Sequence, residues 1–515
     1  MSLLSDGERD VLEAFARLAN GNPFLPERVG AEEAALGPAF VRSGAVWHVE
    51  ADLDGLNPNV ARLAERAEAM AEGLRERLAR GERASERELA LYQTFVFYLL
   101  YQRYEGAWRE LIGKGLEGAS AVRPGAEWRR FARDVERHLA LPDRPFPEPV
   151  DPAFLFALGF QIRRAFHYTF RQIYGASLPA AELRAAVWQS IFTHDGPRYR
   201  RDLTLRMADV PTLVYGETGT GKELVARAIA FSRFVPFDGE RGTFAADFAT
   251  LFRGLALSAL SPTLVESELF GHRRGAFTGA LEDRTGWLEG AGPFGTVFLD
   301  EIGELDPAIQ VKLLRVLQTR SFERIGETSA RRFEGKIAAA TNRDLALEMR
   351  AGRFRDDLYY RLCADLIRTP TLREQLADSR DELRNLALVL ARRLVGPEEA
   401  PRLTDEVVRF AARELGPGYA WPGNVRELEQ CVRSVLVRGV YRPPRAASAD
   451  ADGEIADALR EGRLSADELL RRYVEAVYAQ TGSYEETGRR LGLDRRTVKA
   501  KLSPSSPRAG RRSPS

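Results

Sequence analysis

Eight residues constrain this chain more than any others: Gly216-Glu217-Thr218-Gly219-Thr220-Gly221-Lys222-Glu223. They follow the apolar run Thr212–Tyr215, read as a strand, and open a helix in which Val225 and Ile229 share a face. Glycines at this spacing let successive backbone N–H groups turn inward around phosphate oxygens. The helix N-terminus adds its positive end, and the lysine reaches the outer phosphates. Gly-rich turns also arise by chance, but strand, loop, lysine and helix in this order favour the phosphate-binding reading. Lysine is scarce here, six against 69 arginines, so a lysine at position 222 has a reason to be there. The next residue is Glu223, where a Ser or Thr more often helps to hold Mg²⁺.

A second element belongs with the first. Thr296-Val-Phe-Leu-Asp300-Glu301 is an apolar strand ending in two acids. Adjacent acids are common on surfaces, but acids closing a buried strand downstream of a phosphate loop suit metal and water chemistry. Asp300 is the candidate Mg²⁺ ligand, and Glu301 is the candidate base that polarises water for attack on a γ-phosphate. From about residue 185 short apolar runs alternate with helical stretches, Lys336–Ala340 being another, which implies a parallel α/β sheet.

Residues before about 180 read differently. Asn59–Arg80, Ser85–Lys114, Glu127–Leu139 and Ala153–Tyr174 space their apolar residues at helical intervals, with Pro and Gly between them. No alternating strand pattern is present, which argues against a phospho-acceptor receiver domain. The aromatic density in Tyr92–Trp108 and Phe154–Tyr174 is read as bundle core and not as a ligand pocket.

The length, 515 residues, suits about three domains. Net charge is +1, but residues 489–515 hold nine basic residues against one acid while residues 1–488 hold 66 against 73. A near-neutral total therefore conceals a basic C-terminal end suited to nucleic acid. Cys363 and Cys431 are too few and too far apart for a disulfide framework or a thiolate zinc site, and a reducing cytoplasm is expected. The longest strongly apolar run, Phe95–Tyr101, falls far short of the ~20 residues a membrane helix needs, and the first residues show no secretory signal pattern.

Three helices are expected near the end: Ala466–Ala479, Tyr484–Leu491 and Arg495–Leu502. Ser483 and Glu486 form a capping box, Gly492 closes the middle helix and Asp494 caps the third. Val498 and Leu502 then face inward. Arg495, Arg496, Thr497, Lys499 and Lys501 are the candidate DNA contacts. Residues 503–515 read as a basic tail whose Arg508, Arg511 and Arg512 add nonspecific, salt-sensitive attraction.

Between these elements lie ESELFGHRRGAFTGA (266–280), FLDEIGEL (298–305), KLLRVLQ (312–318), AATNRDL (339–345), FRDDLYYRL (354–362) and WPGNVRELE (421–429). With GETGTGKE they stand in the order of the AAA+ module, and the chain resembles the sigma-54-dependent transcriptional activators, the bacterial enhancer-binding proteins. The resemblance covers roughly residues 188–440 and the C-terminal end, where TGSYEETGRRLGLDRRTVKAKL is similar to a Fis-type helix-turn-helix.

The resemblance implies ATP and Mg²⁺ as cofactors. It implies Asn342 as a first sensor of the γ-phosphate, Arg426 as a second sensor on the lid, and Arg355 and Arg361 as arginines presented to a neighbouring subunit's nucleotide. Such arginines imply a hexamer or similar ring, with a dimer as the inactive form. From the residues alone, Gly275-Ala276-Phe277-Thr278-Gly279-Ala280 is equally a tip exposing Phe277 or a turn folding it into the core. In the family this loop contacts sigma-54, which decides for the exposed tip. His272 beside it is read as a polar loop residue.

The family's Asn that pairs with the catalytic Glu has no counterpart in Phe234–Pro262, where Ser258 is the nearest candidate. The expected organisation is an all-α input domain (1–182), an AAA+ α/β subdomain (183–368) and a helical lid (369–440). A linker (441–463), a helix-turn-helix (464–502) and the tail (503–515) follow. The implied function is ATP-driven activation at sigma-54 promoters from upstream DNA, with sigma-54 RNA polymerase as partner, in the cytoplasm and at the nucleoid when DNA-bound. The alternative is a P-loop remodelling protein that does not engage sigma-54.

Overall fold

Among the described residues, the longer helices before the first sheet strand are α1 (Asp6–Asn20), α2 (Glu27–Leu36), α3 (Pro58–Ala79), α4 (Glu86–Leu116), α5 (Ala126–Leu139), α6 (Pro152–Gln172) and α7 (Leu178–Phe192). Their starts are chemically marked. Ser5 with Glu8, and Ser85 with Glu88, form reciprocal capping boxes on α1 and α4. The computed structural model describes residues 3–42, 57–117, 123–141, 145–379, 381–443 and 465–502. The expected linker from residue 444 onward and the tail 503–515 lie outside the described residues.

The chain divides into two units, Met1–Val440 and Tyr441–Ser515. In the first, five parallel strands form one sheet: β1 (Thr212–Tyr215), β2 (Phe252–Ala256), β3 (Thr296–Asp300), β4 (Lys336–Thr341) and β5 (Asp365–Arg368), in the order β5-β1-β4-β3-β2. Because side chains alternate along a strand, the sheet has two apolar faces. Leu213, Val297, Leu299, Ile337 and Ala339 look one way, onto α9 (Pro307–Thr319) and α10 (Asp356–Leu362). Val214, Phe298, Ala338, Ala340 and Ile367 look the other way, and the cluster they join is continuous with the core of the N-terminal helices.

That shared core is rich in aromatic rings. Phe156 of α6 packs edge-on to Phe131 and against Phe237, and Phe160 lies 4.6 Å from Phe244. The segment carrying Phe237, Phe244 and Phe248 is the stretch between the phosphate-loop helix and β2, and it serves as the seat of the helical bundle. Trp128 of α5 completes the seat by donating its indole N–H to the Gly239 carbonyl at 3.0 Å. Gly159 lets α6 approach α4, since a Cβ there would come within 2.1 Å of the Trp108 ring.

A helical lid follows β5: α11 (Leu372–Asp378), α12 (Glu382–Phe410, interrupted at Gly396 with φ 81°) and α13 (Asn424–Arg438). Among its described residues the second unit holds three helices, α14 (Ala466–Thr481), α15 (Tyr484–Leu491) and α16 (Arg495–Leu502), around buried Val474, Val477, Thr487 and Val498. Gly482 and Gly492 close α14 and α15 in the left-handed conformation. Asp494 starts α16 by accepting the backbone N–H groups of Arg496 and Thr497 at 2.8 and 2.9 Å. The capping box expected on α15 is half formed. Ser483 accepts the Glu486 N–H, but the Glu486 carboxylate has turned to Arg489 and Arg490, whose charge outcompetes a backbone donor. No described helix is long and apolar enough to cross a membrane.

Candidate functional site

The carboxyl ends of β1, β3 and β4 meet where ligands bind in open α/β sheets. The loop after β1 runs through Gly216, Gly219 and Gly221, all at positive φ, into α8 (Lys222–Phe231). Lys222 is buried and donates from Nζ to the carbonyls of Gly216 and Glu217 at 3.0 and 3.1 Å, which holds its ammonium inside the loop. Burial lowers its pKa, while Glu301 and Asp300 opposite pull the other way.

Asp300 ends β3, accepts the Glu301 N–H at 3.1 Å, and has its carboxyl pushed above the usual aspartate range by burial and then by the Glu301 charge. Glu301 sits in the left-handed region at φ 56°, and its Oε2 accepts the Asn342 backbone N–H at 3.2 Å. Asn342 follows β4 and donates from Nδ2 to the Thr218 hydroxyl at 2.9 Å. Asn342, Glu301 and the phosphate loop are thus joined by two hydrogen bonds. Left-handed backbone at a non-glycine residue carries strain, and strain of this kind clusters at functional sites.

The lid closes over the same loop. Asn424 donates from Nδ2 to the Glu217 carboxylate and the Thr218 carbonyl at 3.0 and 3.1 Å, and the Val425 N–H reaches the Gly219 carbonyl at 3.1 Å. Gly219 is required twice over, by φ 81° and because a Cβ would come within 2.2 Å of the Gly423 carbonyl oxygen. Between loop and lid lies a cavity of about 410 Å³, lined by Thr218–Val225, Asp300, Glu301 and Arg426 among others.

Residues from the end of the N-terminal helical region also line this cavity. Ile173, Tyr174, Ala180 and Leu183 join Leu386 and Leu390 of the lid in its lining. In the sequence Ile173 and Tyr174 are an apolar pair before Gly175, which looks the same in any helix end. Arg355 and Arg361 do not line their own chain's cavity. Arg355 is held by Asp357 in a two-pronged pair at 3.0 and 2.7 Å, and Arg361 is exposed.

A Mg²⁺ ion fits here on the chemistry of the donors. A half-buried carboxyl beside a second carboxylate is relieved by a cation, and Mg²⁺ needs only one or two carboxylates when phosphates and water complete its shell. Among the described residues there is no cluster of three or more metal-ligating side chains.

The Gly275–Ala280 loop is a tight hairpin. The Gly275 N–H donates to the Ala280 carbonyl at 2.8 Å, and the Ala280 N–H to the Phe277 carbonyl at 3.0 Å. Two expectations change here. Phe277 is half-buried because its ring packs edge-on against His272, at 4.9 Å between centroids. His272 is not a polar loop residue: it is buried, with Nδ1 at 2.7 Å from the Ser267 hydroxyl. The bare apolar side chain is the neighbouring Leu281, 80% exposed, with Thr278 also exposed.

Ser258 is exposed and makes no described hydrogen bond to Glu301, whose observed partner is Asn342. The β2 residue in register with Asp300 is Ala256, which has no side-chain donor to offer.

On α16, Arg496 and Lys499 are exposed, and Arg495 pairs with Glu485 at 2.8 Å. The other two expected DNA contacts also have partners within the unit. Thr497 donates its hydroxyl to Asp494 at 2.6 Å in the helix cap, and Lys501 is paired with Asp467 of α14.

The sheet order, phosphate loop, acid-ended strand and helical lid define an AAA+ module. The profile described as "Sigma-54 interaction domain" matches residues 199–368. Transcriptional regulatory protein ZraR of Klebsiella oxytoca is 41% identical over 307 residues, 58% of this chain and 64% of its own length. The Nif-specific regulatory protein of Azotobacter vinelandii is 42% identical over 296 residues, 56% of this chain and 52% of its own. ZraR of Salmonella typhimurium is 37% identical over 344 residues, 64% of this chain and 71% of its own. The chain belongs to the sigma-54-dependent transcriptional activators. It spans about half to two thirds of the length of the first two of these relatives.

Proposed function

We propose that this chain is an ATP-driven transcription activator that engages sigma-54 RNA polymerase through its Gly275–Ala280 hairpin and upstream DNA through its C-terminal helices. The observation that carries the reading is the convergence of Lys222, Asp300, Glu301 and Arg426 on one cavity, with Asn342 hydrogen-bonded to Glu301 and Thr218 of its lining and that hairpin on the same module.

In this reading the loop N–H groups and Lys222 hold the β and γ phosphates of ATP. Asp300 holds Mg²⁺, which neutralises charge on the phosphates when bound. Glu301 takes a proton from the attacking water, and its bond to the Asn342 N–H makes its orientation responsive to whatever contacts Asn342. Arg426 approaches the nucleotide from the lid. Arg355 and Arg361, absent from their own cavity, act on a neighbouring subunit's nucleotide, which requires a ring. Arg495, Arg496 and Lys499 form the DNA-facing set on α16, read as the recognition helix of a helix-turn-helix, and the expected compartment is the cytoplasm.

Lys222→Ala is expected to lose ATP hydrolysis and nucleotide-dependent assembly, measured by phosphate release and by sedimentation. Normal turnover would refute the site assignment. Thr278→Ala should keep hydrolysis and lose open-complex formation with purified sigma-54 holoenzyme. Undiminished transcription from that variant would instead favour a remodelling protein that does not engage sigma-54.

A further inference from the structure

Helix α6 touches the nucleotide machinery at two places. Midway along it, Arg164 is wholly buried. Its Nη1 donates to the Phe231 carbonyl and its Nη2 to the Arg233 carbonyl, both at 2.7 Å, so one prong closes on the last residue of the phosphate-loop helix α8 and the other on the turn that follows it. Gln161, one turn earlier, donates from Nε2 to the Ser232 carbonyl at 2.9 Å and to the Tyr199 hydroxyl at 2.7 Å.

At its C-terminal end, α6 runs directly into Ile173 and Tyr174 in the cavity wall. That turn is held in place by Arg184, also fully buried, which donates to the Ile173 and Gly175 carbonyls at 3.0 and 2.9 Å. The lid helix joins the same turn through Glu382, which accepts the Ala176 N–H at 2.7 Å and the Ser177 hydroxyl at 3.0 Å.

No carboxylate lies within ion-pair distance of Arg164 among the described residues. The rings of Phe160 and Phe248, 4.9 and 5.4 Å away, and the partial negative charge of the α8 C-terminus stand in for one. Stripping water from a guanidinium costs several kcal/mol, and an apolar side chain of the same size in an aromatic core is often as stable or more so. Such a group earns no place on packing grounds alone. It does fix direction: two parallel N–H···O bonds set both the position and the rotation of the helix end they hold. A ten-residue helix is about 15 Å long, so tilting its far end displaces the Lys222 end.

Resting on the nucleotide-binding reading above, we infer that Arg164 is a positioning residue for the nucleotide site, and that the helical bundle before residue 172 is a fixed part of the nucleotide-binding apparatus, not a cover lifted from it. Any signal that shifts α6 within its bundle then moves the phosphate-loop helix and the Ile173–Tyr174 wall together.

The test uses the full chain with Arg164→Met, Arg164→Lys and, as a control, Arg171→Ala at an exposed position of the same helix. The probes are MgADP binding, ATP turnover and hydrogen exchange. In Arg164→Met the ADP Kd and the ATP KM should rise tenfold or more while kcat changes less than threefold. Arg164→Lys, which keeps the charge and can reach one carbonyl, should lie between, and Arg171→Ala should match the parent.

MgADP should also slow amide exchange along α6 in the parent chain, and this distant protection should vanish in both Arg164 variants. A folded Arg164→Met or Arg164→Lys with parental ADP affinity and parental protection of α6 would overturn the inference. Should the Met variant fail to fold, the Lys variant decides on the same two readings. A parent chain that binds ADP without turning over ATP would break the ATPase reading alone, because the inference is read in ADP binding.

Discussion

Two regions of this molecule hold themselves together with charge in opposite ways. Beneath the sheet, Arg164, Arg184 and Lys336 are buried cations that grip backbone carbonyls, with aromatic rings or helix ends around them. Around the Gly275–Ala280 hairpin the charges form an open chain. Asp283 pairs with Arg273, Arg273 with Glu327, Glu327 with Arg331, Arg331 with Glu289 and Glu289 with Arg324. The first arrangement is shielded from salt and fixed by geometry. The second is open to screening at its Asp283–Arg273 end, where both side chains reach solvent, and runs at its other end to the buried Arg324. A rigid joint between helical bundle and nucleotide site, with a releasable hairpin, is what a machine needs if it is to convert turnover at one place into movement at another.

The largest effect should come from removing the apolar ground in which the buried cations stand. Phe156→Ala deletes a ring that touches Phe131, Trp128 and Phe237 at once, across the junction of bundle and ATPase segment. Loss of about 3–5 kcal/mol is expected from urea unfolding. If bundle and sheet share one core, the bundle and nucleotide site should lose stability in a single transition. Two separate transitions would show that the joint is not rigid.

A smaller effect concerns Lys336, where burial lowers the ammonium pKa from 10.5 to about 8. Below pH 8 both folded and unfolded chains carry this proton and the group adds no pH slope. Between about pH 8 and 10.5 the unfolded chain binds the proton more tightly, so this group makes stability rise with pH across that window. The rise is roughly 3 kcal/mol at most by the usual conversion. Lys336→Met should remove that slope in a series of urea midpoints taken against pH. An unchanged slope would mean that the lysine reaches water.

The contrast also explains what could be read from the chain itself. The phosphate loop, the acid-ended β3 and the glycine-framed hairpin were legible because their chemistry demands particular residues at fixed spacing. β2 was not: in Phe252-Arg-Gly-Leu-Ala256 only Leu255 is buried, so no apolar alternation marks this edge strand. β5, Asp365-Leu-Ile-Arg368, hides for the same reason, with Ile367 alone facing the core. Arg164 was indistinguishable from 68 other arginines, because a cation satisfied by carbonyls of a distant helix leaves no partner in its own neighbourhood of sequence. His272 and Phe277 misled in the opposite sense. Each is polar or apolar by type, but their mutual packing depends on Ser267 and on the turn that brings the two rings together.

The smallest expected change in stability, and the sharpest contrast with Phe156, lies in the hairpin. Arg273 bridges Asp283 on one leg and Glu327 on the neighbouring loop, and all three side chains reach solvent. Arg273→Ala should therefore leave the urea midpoint almost unmoved, since exposed pairs contribute little to global stability. Local opening is another matter, because this one guanidinium joins the two loops. Limited proteolysis between residues 274 and 282 should accelerate severalfold in the variant. Raising salt should accelerate it in the parent chain while changing the variant far less, because the pairs that salt screens are already gone. Equal salt sensitivity in both would place the hairpin's restraint in its backbone bonds, such as Arg273 N–H to the Ile325 carbonyl at 3.0 Å, and not in its charges.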